Sequence, residues 1–221
     1  MAVRTLRLAH RGDWRHAPEN SLGAFLAALD VPTCDGLEFD VRLSADGVPV
    51  INHDETLERV HGRPERIDAM SADALQAVGV PTLTEVLATV GRGAFLDVEL
   101  KCDPGPTIVE VLAAGRGPTL SKAVVSSSER AALERVAHLA PSWPRWLNSM
   151  TLDATTIATA LDLGCQVVVV EWHALNDASV GLAHAAGLDV ASFTIRSRRI
   201  FRRLQDLGVV AACVEGQALD G

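Results

Sequence analysis

The sequence predicts an α/β protein with a TIM-like (β/α)₈ barrel, and three observations carry that expectation. Short β-branched or apolar runs alternate with longer helical patterns from end to end, as when helical crossovers join parallel strands. Eight such runs fit within 221 residues, a compact span for an eight-stranded barrel. Runs such as Val167–Trp172 (VVVVEW) and Val209–Val214 (VVAACV) are apolar almost throughout, as befits strands covered on both faces.

In order, the expected strands are Leu6–His10, Gly36–Leu43, Ala94–Lys101, Ala123–Ser127, Arg145–Met150, Gln166–Trp172, Asp189–Ile195 and Val209–Glu215. Helical patterns lie between them at Ser21–Asp30, Leu83–Val90, Thr107–Ala114, Ser128–Leu139, Leu152–Leu163, Ala178–Ala186 and Ser197–Leu207. Asn20-Ser21 is a start signal, and Gly115, Gly164, Gly187 and Gly208 are stop signals. An open doubly wound sheet is the alternative. It calls for a glycine-rich phosphate loop after the first strand, and HRGDWRHAPEN is not one. Between Glu55 and Pro81 the rhythm breaks, leaving one short helix, Ser71–Val78, in an irregular excursion. This reads as a short insertion after the strand-two hairpin, within a single domain spanning 1–221.

Composition narrows the function classes. With 48% hydrophobic and 22% charged residues, the chain falls outside the collagen-like, disulfide-scaffold and disordered classes. A net charge of −8 argues against a nucleic-acid partner. The cysteines, Cys34, Cys102, Cys165 and Cys213, show no C-x-x-C pair and suit a reducing compartment. The start, MAVRTLRLAHRG, has no apolar signal core, and no run approaches a membrane span, so a cytoplasmic protein is expected. Nothing in the pattern sets the number of subunits.

Ionisable residues gather on one strand face. In Gly36–Glu55 (GLEFDVRLSADGVPVINHDE), a two-residue turn at Asp46-Gly47 sets Asp40 directly across from His53. Glu38, Asp40 and Arg42 then share a face, while Leu37, Phe39, Val41 and Leu43 pack outward beneath helices. Two carboxylates aimed at a barrel axis repel unless a cation or a proton neutralises them. The third strand (AFLDVELK) adds Asp97, Glu99 and Lys101 on one face, close to the C-terminal rim where barrel active sites form. Glu38, Asp40 and Glu99 are thus three oxygen donors suited to one hard cation, Mg²⁺ or Ca²⁺, rather than zinc. His10 ends the first strand and His53 follows the hairpin. Two imidazoles flanking such a centre suit acid–base chemistry near neutral pH, and Arg11 and Lys101 offer charge to phosphoryl oxygens. Glu171 ends its strand near the same rim, facing either substrate or a neighbouring arginine. Arg196 opens an arginine-rich helix that is either a solvated face or a phosphate contact. Trp14 and Trp172 either wall the pocket or pack loops.

These residues resemble the glycerophosphodiester phosphodiesterase family. The resemblance rests on His10-Arg11-Gly12, Pro18-Glu19-Asn20-Ser21 with Ala24-Phe25, Glu38-x-Asp40-Val41, Asp46-Gly47, Val50-x-x-His53-Asp54, Pro81-Thr82-Leu83-x-Glu85-Val86-Leu87 and Glu99-x-Lys101. It implies a TIM-like barrel that hydrolyses glycerophosphodiesters to glycerol 3-phosphate and an alcohol, with a small-molecule phosphodiester as substrate. It implies one divalent cation on Glu38, Asp40 and Glu99, catalytic histidines at His10 and His53, phosphate contacts from Arg11 and Lys101, and support from Glu19, Asn20 and Asp54. A related barrel activity, headgroup cleavage of lysolipids in the manner of a lysophospholipase D, is the alternative reading. The C-terminal half departs from the family pattern at Ser127-Ser128, Phe193-Thr194-Ile195-Arg196 and Val214-Glu215-Gly216-Gln217.

Overall fold

A computed structural model describes residues 4–221. Its elements run β1 (Leu6–His10), α1 (Leu22–Leu29), β2 (Gly36–Leu43), β3 (Pro49–Ile51), α2 (Glu58–His61), α3 (Ala72–Gln76), α4 (Leu83–Val90) and β4 (Phe95–Leu100). They continue α5 (Gly105–Arg116), β5 (Ala123–Ser127), α6 (Arg130–Leu139), β6 (Arg145–Ser149), α7 (Ala154–Asp162), β7 (Val167–Glu171), α8 (Asp177–Ala185), β8 (Asp189–Ile195), α9 (Arg198–Asp206) and β9 (Ala211–Val214). Eight parallel strands follow the order β1-β9-β8-β7-β6-β5-β4-β2, and β1 pairs with β2 to close the ring. The expected (β/α)₈ barrel is present. β3 stands outside it as the return arm of the β2 hairpin, paired antiparallel.

Period-two alternation sorts each strand into an outer and an inner row. Leu37, Phe39 and Val41 of β2 and Leu96, Val98 and Leu100 of β4 join the large outer core beneath the helices. The inner row changes character along the axis. At the lower end Leu8, Phe95, Val124, Trp146, Val167, Ala191 and Ala211 make an apolar plug, with Phe95 stacked on Trp146. Above the plug β1, β2 and β4 present His10, Glu38, Asp40, Asp97 and Glu99. The hydrophobic effect fills the floor of the ring and leaves its mouth for chemistry.

The hairpin register differs from the expected one. Leu43 pairs with Pro49, Arg42 with Val50 and Val41 with Ile51, so Asp40 faces Asn52 rather than His53. The loop has three residues: Gly47 N–H donates to the Ser44 carbonyl, Ser44 N–H to the Val48 carbonyl, and Gly47 takes φ +76°, a glycine-bulge turn. Asp46 is engaged elsewhere, accepting from Ser44 Oγ (2.6 Å) and from the Ala72 N–H that opens α3 (3.0 Å). One residue of slip would turn His53 to the opposite face of an ideal ribbon. The pairing ends at Ile51, however, and the chain past β3 leaves the sheet and carries His53 to the barrel mouth by a different route.

The insertion holds more structure than its single expected helix. Besides α3 it contains α2 and a 3₁₀ turn at Ile67–Ala69. Val50, Leu57, Ile67, Ala72, Leu75 and Val80 give it a small core of its own. No described helix is long and apolar enough to cross a membrane.

Candidate active site

A cavity of about 480 Å³ opens at the C-terminal ends of the barrel strands. His10, Arg11, Glu38, His53, Asp97, Glu99 and Lys101 line it from β1, β2, β4 and the loops behind them. Ser128, Asn148, Ser149, Met150, Phe193 and Thr194 complete the wall, and Val169 and Cys213 lie deeper. Period two alone brings Glu38, Asp97 and Glu99 here, because the parallel register sets Glu38 beside Asp97 and Asp40 beside Glu99.

Glu38, Asp40 and Glu99 each offer a carboxylate oxygen, all within 4.8 Å of one another. Glu38 and Asp40 are buried, and Glu38 Oε1 and Asp40 Oδ1 have no hydrogen-bond partner among the described residues. Carboxylate oxygens without a hydrogen-bond partner at such depth are costly unless a cation or a proton neutralises them. Burial, followed by the fields of Asp40 and Glu99, drives the Glu38 carboxyl well above the usual range. Burial also pushes Asp40 upward, but Arg11, Lys101, His53 and the Asn20 amide together hold it below the ordinary value. The donor set is all oxygen, convergent and partly unsatisfied, and fits a divalent hard cation.

Two cations of the protein's own flank the cluster. Arg11 Nε lies 3.2 Å from Asp40 Oδ2, and Arg11 Nη1 donates to Glu19 Oε1 (2.9 Å). Lys101 Nζ donates to Glu99 Oε1 and lies 3.3 Å from Asp40 Oδ1. Arg11 (φ +60°) and Asn20 (φ +57°) both occupy the left-handed region, which L-residues adopt at a cost. Each contacts Asp40, for Asn20 Nδ2 donates to Asp40 Oδ2 (2.8 Å). Gly12 (φ +83°) makes the turn possible, since a Cβ there would sit 2.6 Å from the backbone of Ala24. The strain in this loop is spent on aiming two polar side chains at one carboxylate.

Both imidazoles are held by carboxylates at Nδ1. His10 Nδ1 lies 2.6 Å from Glu215 Oε1, and His53 Nδ1 lies 2.7 Å from Asp54 Oδ1. Burial alone would raise Glu215 and Asp54, but hydrogen bonds from the histidines and from Arg196 and Arg59 keep both carboxyls below their usual values. Ionised acceptors require the Nδ1 proton on the histidine, which leaves Nε2 as each ring's free nitrogen. His10 Nε2 lies 3.8 Å from Glu38 Oε2.

Of the residues singled out from sequence, His10, Arg11, Glu38, His53, Glu99 and Lys101 line the cavity, with Asp40, Glu19, Asn20 and Asp54 bonded directly behind them. Glu171 is not brought in. The chain turns into a 3₁₀ helix after β7, and the Glu171 carboxylate folds onto His173, accepting from its N–H (2.8 Å) and meeting its Nδ1 (2.6 Å). Trp14, Trp172 and Arg196 are likewise not among the residues of the cavity wall, and Arg196 Nε donates to Glu215 (2.7 Å).

Sequence reasoning passed over Asp97, Asn148, Glu215, Arg42 and Arg59 as site residues. Asp97 was legible from its period-two relation to Glu99. Burial, reinforced by Glu99 and Asp40 and opposed by Ser126, pushes it up to about 7. Asn148 and Glu215 carried the weaker signal of a place at the C-terminal end of a strand. Arg42 shares the face of Glu38 and Asp40, and its Nε donates to the His53 carbonyl (2.9 Å), pinning the backbone of that histidine.

Comparison with known proteins identifies the family. The glycerophosphoryl diester phosphodiesterase family profile matches residues 10–215. A glycerophosphodiester phosphodiesterase of Bacillus subtilis is 27% identical over 243 aligned positions, covering 93% of this chain and 82% of that protein. One from Caldanaerobacter subterraneus is 33% identical over 113 residues, covering 45% of this chain and 46% of that protein. Among solved structures, an Oleispira antarctica phosphodiesterase in complex with the product sn-glycerol-3-phosphate superposes with a TM-score of 0.86 at 27% identity, over 96% of this chain and 93% of that one. The Thermotoga maritima glycerophosphodiester phosphodiesterase shares the fold, with a TM-score of 0.82 at 21% identity over 98% of this chain and 96% of that one. The chain therefore belongs to the glycerophosphoryl diester phosphodiesterase family, enzymes that hydrolyse phosphoric diesters.

Proposed function

We propose that the protein hydrolyses glycerophosphodiesters to glycerol 3-phosphate and an alcohol, with His10 and His53 as the acid–base pair. One observation carries the reading: two imidazoles with carboxylate-held Nδ1 atoms line the same cavity as Glu38, Glu99, Arg11 and Lys101, and Asp40 converges on those two carboxylates from just behind the wall. The similarity to a phosphodiesterase structure holding sn-glycerol-3-phosphate supports the product side.

Glu38, Asp40 and Glu99 would hold a divalent cation, Mg²⁺ or Ca²⁺, which would supply charge stabilisation at a phosphate oxygen. The protein's own groups do the rest. Arg11 and Lys101 bind the remaining phosphate oxygens and orient the diester. One imidazole takes the proton from the attacking hydroxyl at its Nε2: either water attacks directly, or the substrate's glycerol hydroxyl attacks to give a cyclic phosphate that water opens to glycerol 3-phosphate in a second step. The other starts the step as an imidazolium, its charge held by the carboxylate at Nδ1, and delivers its Nε2 proton to the alcohol oxygen as the phosphorus–oxygen bond breaks. Glu215 and Asp54 keep the rings in the tautomer that this exchange needs, and Asn20 and Glu19 hold Asp40 and Arg11 in place.

The test is a panel of glycerophosphocholine, glycerophosphoethanolamine, glycerophosphoglycerol and glycerophosphoinositol. Each is assayed on chelator-stripped protein with and without added Mg²⁺ or Ca²⁺. Glycerol 3-phosphate released only on adding a cation is the expected result. Equal turnover in stripped and reloaded protein, or no turnover of any member, overturns the reading.

A further inference from the structure

Arg59 sits on α2 of the insertion, exposed and outside the cavity wall, yet its guanidinium joins the two loops behind the site. Nε donates to Asp54 Oδ2 (2.6 Å), while Nη1 and Nη2 grip Glu19 Oε2 (2.8 Å) and Oε1 (2.7 Å) as a fork. Asp54 passes this hold to His53 through its other oxygen, and Glu19 passes it to Arg11. Two chains of contact, one ending on an imidazole and one on a phosphate-facing guanidinium, thus meet at a single side chain from the insertion.

The need for such a brace follows from exposure. The His53 side chain is 33% exposed and that of His10 15%, so packing alone restrains His53 less. Asp54 is only its chain neighbour, and a partly exposed carboxylate with one bond can rotate. A second bond at Oδ2 removes that freedom. A planar fork can serve two carboxylates at once, which a lysine ammonium in the same place cannot do with comparable geometry.

We propose that Arg59 is a positioning residue for the phosphodiesterase reaction: by fixing Asp54 and Glu19 together it sets the direction of His53 and the reach of Arg11 without touching substrate. The proposal rests on the acid–base role given to His53 above. A misdirected partner behind a working group costs roughly tenfold or more in activity.

The experiment measures kcat, KM and melting temperature for R59A, R59K, D54A and H53A, using whichever glycerophosphodiester of the panel turns over fastest. R59A is expected to lose roughly tenfold in kcat, with a melting temperature close to the parent, because the residue is exposed. Millimolar guanidinium should restore several-fold of the R59A rate and none of the D54A rate. R59K, which keeps the charge but not the fork, should fall between R59A and the parent. A parental kcat in R59A, or a loss that guanidinium does not relieve, overturns the proposal. H53A separates the two levels. If H53A keeps the parental rate, the acid–base reading fails; if H53A is inactive and R59A is not impaired, only the role of Arg59 fails.

Discussion

The two histidines are held by opposite means, and the contrast separates what barrel closure does from what the insertion does. His10 belongs to the seam where the first and last strands meet. Its partner Glu215 is 205 residues away in sequence, and the surrounding contacts tie the chain's ends together. Arg7 lies over the Phe201 ring, Thr33 Oγ1 donates to the Leu219 carbonyl, and Arg15 grips both Asp13 and Asp220. His53 belongs to a local arrangement. Its partner is the next residue, its backbone is pinned by Arg42, and its outer brace comes from the insertion. Two groups given equivalent chemistry thus depend on different parts of the fold. One should fail when the seam opens, the other when a surface helix is disturbed.

The sharpest way to break this comparison is to remove the rings. His10→Ala and His53→Ala should each lower kcat by at least ~10²-fold with the fold retained, measured by turnover beside circular dichroism and thermal melting. If only one of them does so, the two-ring chemistry is wrong and the comparison has no subject.

Removing the carboxylates instead sharpens it. Glu215→Gln and Asp54→Asn should each lower kcat by roughly tenfold, because each loses the charge and gains an amide N–H₂ that can donate to the ring, so the Nδ1–H tautomer is no longer enforced. Their stabilities should diverge. Glu215 is buried and joins His10 to Arg196 across the seam, so its loss should cost about 1–3 kcal/mol. Asp54 is part-exposed, so its loss should cost less than about 1 kcal/mol. Equal melting temperatures would show that the seam is not the more structural of the two supports.

The same contrast explains which parts of the site were legible in the sequence. The barrel and the cluster of Glu38, Asp40 and Glu99 follow from strand alternation, a local signal that survives folding because the register adds only a sideways placement. The hairpin register was missed by one residue because a three-residue bulged loop and a two-residue turn share the Asp-Gly signal. In the folded chain the three-residue loop is the one found, with Asp46 accepting from Ala72 N–H in the insertion. Glu215 could not be assigned to His10 from a pattern, because closure of the ring is what makes them neighbours. Arg59 falls in a stretch that reads in the sequence as irregular, and only tertiary contact distinguishes it. Glu171 shows the converse: a place at the end of a strand does not fix where a side chain points once the next residues cap it.

The smallest expected effect tests the seam away from catalysis. Asp13 is buried and accepts from Arg15 Nε and Nη2 at 2.8 Å each, while Arg15 also holds Asp220 of the C-terminal segment. The hydrogen bonds from Arg15 outweigh burial and keep the Asp13 carboxyl below its ordinary value of 3.8. A carboxyl depressed on folding contributes stability that is complete above the unfolded value and is lost as pH falls through the folded one. Asp13→Asn should therefore lower stability at pH 7 by about 1 kcal/mol, and the gap to the parent should close progressively below about pH 4. Thermal melts of the two proteins between pH 7 and pH 2.5 check this. Because Asp13 lies outside the cavity wall, kcat at pH 7 should stay near the parental value. A gap that persists unchanged into acid would mean that the aspartate acts through packing rather than charge, and that the seam is closed by its apolar contacts alone.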